Sequence, residues 1–180
     1  KFYLHTPYAI CSFRHKTFST KEPEMLDWID QFGGDGAFYD IGANIGIYSL
    51  YYAKTKSGKV YSFEPSVFNL RQLAKNISLN EMETEISIIT NPLTDVTGFS
   101  SFSNGSSEEG GALSAFGVNY GYDGEVMNSA INYSVLGFSL DDLLRAEPHI
   151  APPSMIKIDV DGVEHLILEG ARNTLKRREV

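Results

Sequence analysis

The chain has 180 residues, of which 42% are hydrophobic, so it can bury one substantial core and is most simply one domain. Its formal net charge of −8 repels a polyanion and therefore disfavours nucleic acid as a substrate or partner. No stretch reaches the roughly 20 apolar residues of a membrane span, and the single cysteine excludes an intrachain disulfide and suits a reducing compartment, so we expect a cytoplasmic protein without a membrane partner.

An amphipathic helix is predicted within the first 36 residues. Apolar residues recur at helical spacing over residues 22–32, and Thr20 stands before them as a candidate cap. Three glycines between positions 33 and 36 then end the helix and release the chain into a strand. We treat residues 1–36 as an N-terminal helical segment at one edge of the main domain, residues 37–180. We expect it to cover one edge of the sheet, and a lid over a ligand is the alternative.

A strand at Ala37–Ile41 is followed by a turn that contains Gly42, Asn44 and Gly46. Glycines in such a turn let backbone N–H groups approach a ligand. A dinucleotide fingerprint requires the spacing G-x-G-x-x-G, which these two glycines do not have. The turn therefore indicates a nucleoside cofactor but argues against a nicotinamide-dependent oxidoreductase.

A helix over residues 47–56 and a second strand over residues 59–63 lead to Glu64. Pro65 disfavours a helical conformation of the residue before it, so we expect the Glu64 carboxylate to stay at the tip of the strand, facing a crevice. Strand, glycine turn, helix, strand and acidic tip together describe one half of a nucleoside-cofactor site, in which the carboxylate takes two ribose hydroxyls.

The next two elements follow the same alternation. From Ser66, one apolar stripe at helical spacing predicts a helix that packs on the sheet, formed by Leu70, Leu73, Ala74 and Ile77. Residues 85–89 then make a third strand.

Residues 90–135 are rich in Asn, Gly and Ser, which predicts loops and short hairpins. An insertion at this point lies beside the crevice, where it either carries substrate-specific elements or is disordered surface. A short helix from residue 141 and a strand over residues 155–159 complete the pattern. The alternation predicts an α/β fold with a doubly wound, mostly parallel sheet that binds ligands at the carboxyl ends of its strands.

Five sequence blocks carry a resemblance to a known family. They are F-Y-D-I-G-A-N-I-G-I-Y-S at 38–49, V-Y-S-F-E-P at 60–65, N-I-S-L-N at 76–80, G-F-S-L-D-D-L-L at 137–144, and I-K-I-D-V-D-G-V-E at 156–164 with L-E-G-A at 168–171. Over roughly residues 37–175 the chain resembles the FkbM-type family of S-adenosylmethionine-dependent methyltransferases. The resemblance implies a Rossmann-like sheet of the class I methyltransferase type and O-methylation of a hydroxyl on a sugar, glycan or secondary metabolite. That sheet is larger than the strands predicted here, so we expect the fold to be C-terminally incomplete.

In such an enzyme, S-adenosylmethionine would lie against the glycine turn, the strand tips and an apolar residue beyond the third strand. The turn would admit the methionine end to the backbone, and the N-terminus of the following helix can hold its carboxylate. Asp40 would accept a hydrogen bond from the ammonium group, Glu64 would bind the ribose hydroxyls, and Leu93 would pack on adenine. The candidate cofactor-binding residues are Asp40, Gly42, Asn44, Gly46, Glu64 and Leu93.

The segment D-V-D-G-V-E supplies the candidate catalytic residues Asp159, Asp161 and Glu164. An oxygen nucleophile must lose its proton during methyl transfer, which requires a nearby base. Asp159 has the best position, at the end of a strand. Asp161 could instead cap the next helix, and Glu164 could favour the dipole of that helix. Two aspartates could share a divalent ion, but two ligands are too few for us to predict a metal site.

Two rival classes stay open beside the methyltransferase. A nicotinamide-dependent oxidoreductase would need the dinucleotide spacing and a second mononucleotide half, and the sequence offers neither. A catalytically inactive module that binds a nucleoside cofactor would keep the fold and lose the chemistry of the aspartates. We expect a small-molecule or saccharide acceptor, no nucleic acid, and we leave a homo-oligomer open.

Overall fold

The computed structural model describes residues 1–177, so the last three residues of the predicted domain 37–180 lie outside it. Helices and strands alternate along most of the chain. In order they are α1 (Ala9–Thr17), α2 (Pro23–Phe32), β1 (Ala37–Ile41), α3 (Ile47–Thr55), β2 (Val60–Phe63), α4 (Val67–Leu79), β3 (Ile86–Ile89), β4 (Gly98–Asn104), β5 (Ser114–Phe116), β6 (Ile131–Gly137), α5 (Leu140–Ala146), β7 (Pro153–Ile158) and α6 (Glu164–Gly170), followed by a 3-10 turn at Thr174–Lys176.

A parallel sheet with the strand order β3-β2-β1-β7 forms the centre of the molecule. β1 pairs with β2 on one side and with β7 on the other, and every pairing is parallel. All five residues of β1 are buried, as expected for an inner strand covered on both faces. The predicted α/β fold with a mostly parallel, Rossmann-like sheet is confirmed.

The two faces of the sheet carry separate hydrophobic clusters. Successive side chains of a strand point to opposite faces, so Phe38 joins Leu50 of α3 and Leu73 of α4 on one face. Tyr39 joins Leu140 of α5, together with α6 residues, on the other face. The sheet is therefore wound on both sides, which leaves the carboxyl ends of its strands open at one edge.

The N-terminal segment contains two helices rather than the one predicted. α2 matches the prediction. Its residue Ile29 is buried in the same core cluster as Phe38. Thr20 is not its cap, because Glu22 holds that position and the Thr20 hydroxyl donates to the Thr17 carbonyl. α1 was not predicted from the sequence, because Cys11 is its only buried residue and its apolar periodicity is correspondingly weak.

The insertion over residues 90–135 has more structure than loops and short hairpins. β4 and β6 pair antiparallel over seven residues each, and β5 pairs with the other edge of β4. Ser and Gly in β4 concealed the strand, yet Phe102 within it is buried against the site described below. This small sheet ends above the carboxyl edge of the parallel sheet.

Candidate functional site

A cavity opens at the carboxyl ends of β1, β2 and β7, beneath the inserted antiparallel sheet. It contains about 600 Å³ of space free of atoms, part of it in its open mouth. Six of the residues proposed from the sequence line this first cavity: Gly42, Asn44, Glu64, Leu93, Asp159 and Asp161.

Glu64 supplies a buried carboxylate to the first cavity. The side chain lies at the tip of β2 and only 4% of the residue is exposed. Its Oε2 accepts from the backbone N–H of Asn44 at 2.7 Å, and its Oε1 accepts from that of Ser66 at 2.8 Å. Burial raises the pKa of Glu64 to about 7, although both hydrogen bonds oppose the shift. Since each carboxylate oxygen carries two lone pairs, each can accept one further hydroxyl, such as one of a vicinal diol.

Apolar side chains form the wall beyond Glu64. Leu93 and Phe116 are both buried, and Pro92 and Phe102 line the same cavity. Leu93 is held in place by backbone pairing with Phe138, at the base of the inserted sheet. An apolar slot beside a buried carboxylate with unused lone pairs suits a nucleoside, because the flat base can pack in the slot while the sugar hydroxyls donate to the carboxylate.

The glycines of the turn are required by the protein's own backbone. Gly42 and Gly46 have φ angles of +76° and +84°, in the left-handed region that favours glycine. A Cβ at Gly42 would lie 2.0 Å from the Asp159 carbonyl oxygen, and one at Gly46 would lie 2.4 Å from Leu73 Cδ1. Gly42 lines the cavity, but Gly46 packs against α4 and does not, so approach of a ligand is not the reason for Gly46.

Asp40 does not reach the cavity, in contrast to the expectation that it binds an ammonium group of the cofactor. It is fully buried, with Lys157 Nζ 3.0 Å from its Oδ1 and the Ser49 hydroxyl donating to its Oδ2 at 2.6 Å. Lys157 comes from the adjacent strand β7 and also donates to the Gly42 carbonyl at 3.0 Å. Asp40 therefore joins β1, β7 and the glycine turn, and its charge is balanced within the protein.

A second cavity lies on the other side of the glycine turn. It contains about 500 Å³ of space free of atoms, again partly open to solvent, and shares Gly42, Asn44 and Asp159 with the first cavity. Lys157 of β7 and further residues of the glycine turn also line it, and the rest of its wall comes from α1, the chain that follows α1 and the first turn of α3, including Arg14 and Tyr48. This wall was not predicted from the sequence, because the apolar periodicity of α1 is too weak to indicate a helix.

The three candidate catalytic carboxylates do not converge. Asp159 lines both cavities, its side chain is 64% exposed, and Lys157 Nζ lies 3.8 Å from its Oδ2. Asp161 Oδ2 accepts from the backbone N–H groups of Leu113 and Ser114 at 2.8 and 3.1 Å, which ties the inserted sheet to the loop after β7. Burial raises the pKa of Asp161 despite these bonds.

Glu164 is turned back onto the loop that precedes its own helix. Its Oε1 accepts from the N–H groups of Val160 and Gly162, both at 3.3 Å, and it lines neither cavity. Only Asp159 thus faces both cavities without a backbone hydrogen bond to its carboxylate in the part of the chain described here. Within the described residues no group of three or more His, Cys, Asp or Glu side chains is placed to hold a metal ion.

A short segment of the insertion, residues 109–111, is held across the site and is called the strap below. The Asn44 side chain donates to the Gly111 carbonyl at 2.7 Å, and Asn69 Oδ1 accepts from the Gly110 N–H at 2.8 Å. Glu109 is paired with Arg71 at 3.0 Å. Asn44 Oδ1 is buried and has no partner among the described residues, so a polar acceptor at the junction of the cavities is available to a ligand.

A stripe of buried amides on α4 was a readable signal that the sequence analysis did not use. Asn69, Gln72 and Asn76 are spaced so that they lie beside the apolar stripe, and all three are buried. Asn76 donates to the Ile45 carbonyl at 2.8 Å and accepts from the His5 N–H at 2.8 Å. Buried amides at helical spacing predict fixed hydrogen-bond partners, which here are the strap, the glycine turn and the N-terminal segment.

Comparisons with known proteins agree with the architecture. The sequence model of a family described as Methyltransferase FkbM domain matches residues 40–180. No curated protein sequence matches the chain. The solved structure of methyltransferase FkbM from Methylobacillus flagellatus KT is similar with a TM-score of 0.51 and 19% identity, over 79% of this chain and 30% of that one. This chain thus spans less than a third of that protein's length.

Two further solved structures are similar over shorter stretches. An rRNA methylase from Streptococcus thermophilus has a TM-score of 0.36 and 18% identity, over 39% of this chain and 38% of that one. TYW2 from P. horikoshii, in complex with MeSAdo, has a TM-score of 0.31 and 29% identity, over 34% and 25% of the two chains. At these scores neither supports an argument about this chain. The described residues contain no helix that is both long and apolar enough to cross a membrane.

Proposed function

The chain belongs to the methyltransferase FkbM family, and from this premise we propose that it is an S-adenosylmethionine-dependent methyltransferase acting on a hydroxyl of a sugar, glycan or secondary metabolite. One observation carries the proposal. The buried Glu64 carboxylate lies at the tip of β2, beside an apolar slot and at the entrance to a second, charged cavity. A nucleoside with a polar tail has the chemistry that such a pair of cavities would bind.

In this proposal the first cavity holds the nucleoside. Glu64 accepts hydrogen bonds from the two ribose hydroxyls, and Leu93 and Phe116 pack on adenine. The free amide oxygen of Asn44 accepts one more hydrogen bond at the junction. Bound there, S-adenosylmethionine supplies a methyl group on a sulfonium sulfur. The protein's contribution is then to hold an acceptor oxygen close to that methyl and in line with it.

Asp159 is the residue that takes the proton of the acceptor hydroxyl. It lies at the junction of the two cavities, and its exposed carboxylate faces both of them. When an acceptor hydroxyl is methylated, Asp159 would accept the proton of that hydroxyl and pass it to solvent. Lys157 Nζ lies 3.8 Å from Oδ2 of this carboxylate.

The cofactor assignment is tested by calorimetric titration of the chain with S-adenosylmethionine, S-adenosylhomocysteine and NAD. We expect saturable binding of the first two and none of NAD. Glu64→Ala should weaken binding by roughly tenfold or more, because a charge-assisted hydrogen-bond acceptor is lost from a buried site. The exposed Glu85, which immediately precedes β3, provides a matched control, and Glu85→Ala should bind like the wild type. Binding of NAD, or none of either nucleoside by folded protein, would contradict the assignment.

A binding module without catalysis is the second candidate. Asp161 and Glu164 both accept hydrogen bonds from backbone N–H groups, which leaves Asp159 as the one predicted base that faces the cavities in the described structure. The two candidates differ in turnover, because an enzyme releases S-adenosylhomocysteine from S-adenosylmethionine when a hydroxylated acceptor is supplied. Tight cofactor binding without any release across a screen of saccharide acceptors would favour the module.

A further inference from the structure

Among the described residues, Arg14 is the one cation lining the second cavity that makes no ion pair, and the carboxylate of Asp159 in the same cavity lies 3.8 Å from Lys157 Nζ. Lys21 pairs with Glu22 at 2.6 Å, and Lys157 pairs with the buried Asp40 at 3.0 Å. Arg14, which lines the same cavity, makes no ion pair with any described residue. A partly buried cation without a counter-charge favours the binding of an anion, since the attraction is stronger there than in open water.

The guanidinium of Arg14 makes one hydrogen bond to the protein and has further N–H donors available. Its Nε donates to the Gly110 carbonyl of the strap at 3.0 Å, which fixes the plane of the group. The two terminal nitrogens have no partner among the described residues. A guanidinium held in this way presents a planar pair of donors, a geometry that matches a carboxylate.

The first turn of α3 favours an anion in the same cavity. Ile47 and Tyr48, at the start of this nine-residue helix, line the same cavity as Arg14. The N-terminus of a helix carries a partial positive charge and unpaired N–H groups. Arg14 and this helix end are therefore two independent sources of positive potential around one space.

We infer that Arg14 binds the α-carboxylate at the amino-acid end of the cofactor. The inference rests on the proposed function, because the ligand seated on Glu64 is a nucleoside that carries a methionine tail. Gly42 and Asn44 line both cavities, so the tail of that ligand passes the glycine turn and enters the second cavity. α1 lies before the matched region, residues 40–180, so a segment outside the family domain supplies a contact to the cofactor.

The consequence is selectivity for the amino-acid end of the ligand. S-adenosylhomocysteine has the carboxylate, whereas 5′-methylthioadenosine has the same nucleoside and lacks the amino-acid end. Calorimetric titration of the full chain with both ligands separates the two halves of the site. We expect Arg14→Gln to lower the affinity for S-adenosylhomocysteine by roughly 10- to 100-fold and to leave the affinity for 5′-methylthioadenosine unchanged. Arg14→Lys, which keeps the charge, should lose less affinity for S-adenosylhomocysteine than Arg14→Gln.

Lys16→Gln provides the matched control, because Lys16 is an exposed cation on the same helix and does not line the cavity. Its affinities for both ligands should equal those of the wild type. If Arg14→Gln lowered the affinity for both ligands equally, the inference would be overturned, because displacement of the strap alone would have that effect. Unchanged affinity for S-adenosylhomocysteine would overturn it while the proposed function stands. A wild-type chain that binds neither ligand would overturn the proposed function itself, and the inference with it.

Discussion

At the scale of single residues, burial decides the behaviour of Glu64. Its pKa rises from the ordinary 4.5 to about 7, because the charged form loses more hydration than the two backbone hydrogen bonds restore. Between pH 4.5 and about pH 7 the folded state therefore binds more protons at this site than the unfolded state does. The contribution of this group to folding stability is present below pH 4.5 and is lost as the pH rises through about 7.

Ligand binding should reverse part of this shift. Ribose hydroxyls donate to the ionised carboxylate and favour it, so the pKa of Glu64 falls when the nucleoside binds and protons are released. We expect the affinity for S-adenosylhomocysteine to increase from pH 6 to pH 8 in the wild type, and to be flat over this range in Glu64→Gln. Titrations in two buffers of different ionisation enthalpy measure the released protons directly. The same pH dependence in both proteins would show that another group is responsible.

At the scale of one element, the glycine turn between β1 and α3 is shaped by its protein neighbours. Its left-handed residues bring the Asp159 carbonyl and α4 into direct contact with the turn, which places Asn44 and Asp159 at the junction of the cavities. Lys157 reinforces the arrangement by donating to the Gly42 carbonyl. The site geometry thus depends on a turn that tolerates no added carbon atom at Gly42.

Two glycine substitutions test this dependence. At Gly42, with φ at +76°, a Cβ would lie 2.0 Å from the Asp159 carbonyl oxygen, so Gly42→Ala must move β7 or the turn. We expect it to lower the free energy of unfolding by at least about 2 kcal/mol, from backbone strain and overlap together. Gly34→Ala is the control, since nothing lies within 4 Å of its Cβ position. Urea denaturation of both variants measures the difference, and equal midpoints would refute the steric argument.

At the scale of the whole molecule, the N-terminal segment and the inserted sheet close over the domain from two sides. Cys11 of α1 is fully buried, and its thiol donates to the Glu109 carbonyl of the strap at 3.2 Å. Ile29 of α2 is equally buried in the core cluster that contains Phe38. Residues 1–36 therefore complete both the core and the second cavity, although the matched family region begins at residue 40.

Removal of residues 1–36 tests this view of the whole molecule. The shortened chain would expose apolar surface of the cluster around Phe38 and lose one wall of the second cavity. We expect a lower urea midpoint and increased binding of a hydrophobic dye, since burial of apolar area contributes roughly 25 cal/mol per Å². A shortened chain with the midpoint and dye binding of the full chain would show that the segment is dispensable for folding.

Local patterns predicted the elements that depend on neighbours in the sequence. The glycine turn, the position of Glu64 and the parallel alternation of strands all follow from spacing over fewer than about 20 residues, a range in which periodicity and turn chemistry act. The β4 strand was not predicted because Ser and Gly have low strand propensity. In the folded molecule, pairing with β6 stabilises the strand in spite of this low propensity.

The sequence by itself thus determined the fold class, the family resemblance and a carboxylate at the tip of β2. Only the tertiary structure decided that Asp40 is neutralised by Lys157, that Asp161 binds the backbone of β5, and that Arg14 reaches the second cavity. These outcomes depend on contacts between residues distant in the chain, such as Arg14 and Gly110, which are 96 positions apart. The type of a side chain determines which hydrogen bonds and ion pairs it can form, and the packing of the whole chain determines which partners lie close enough to form them.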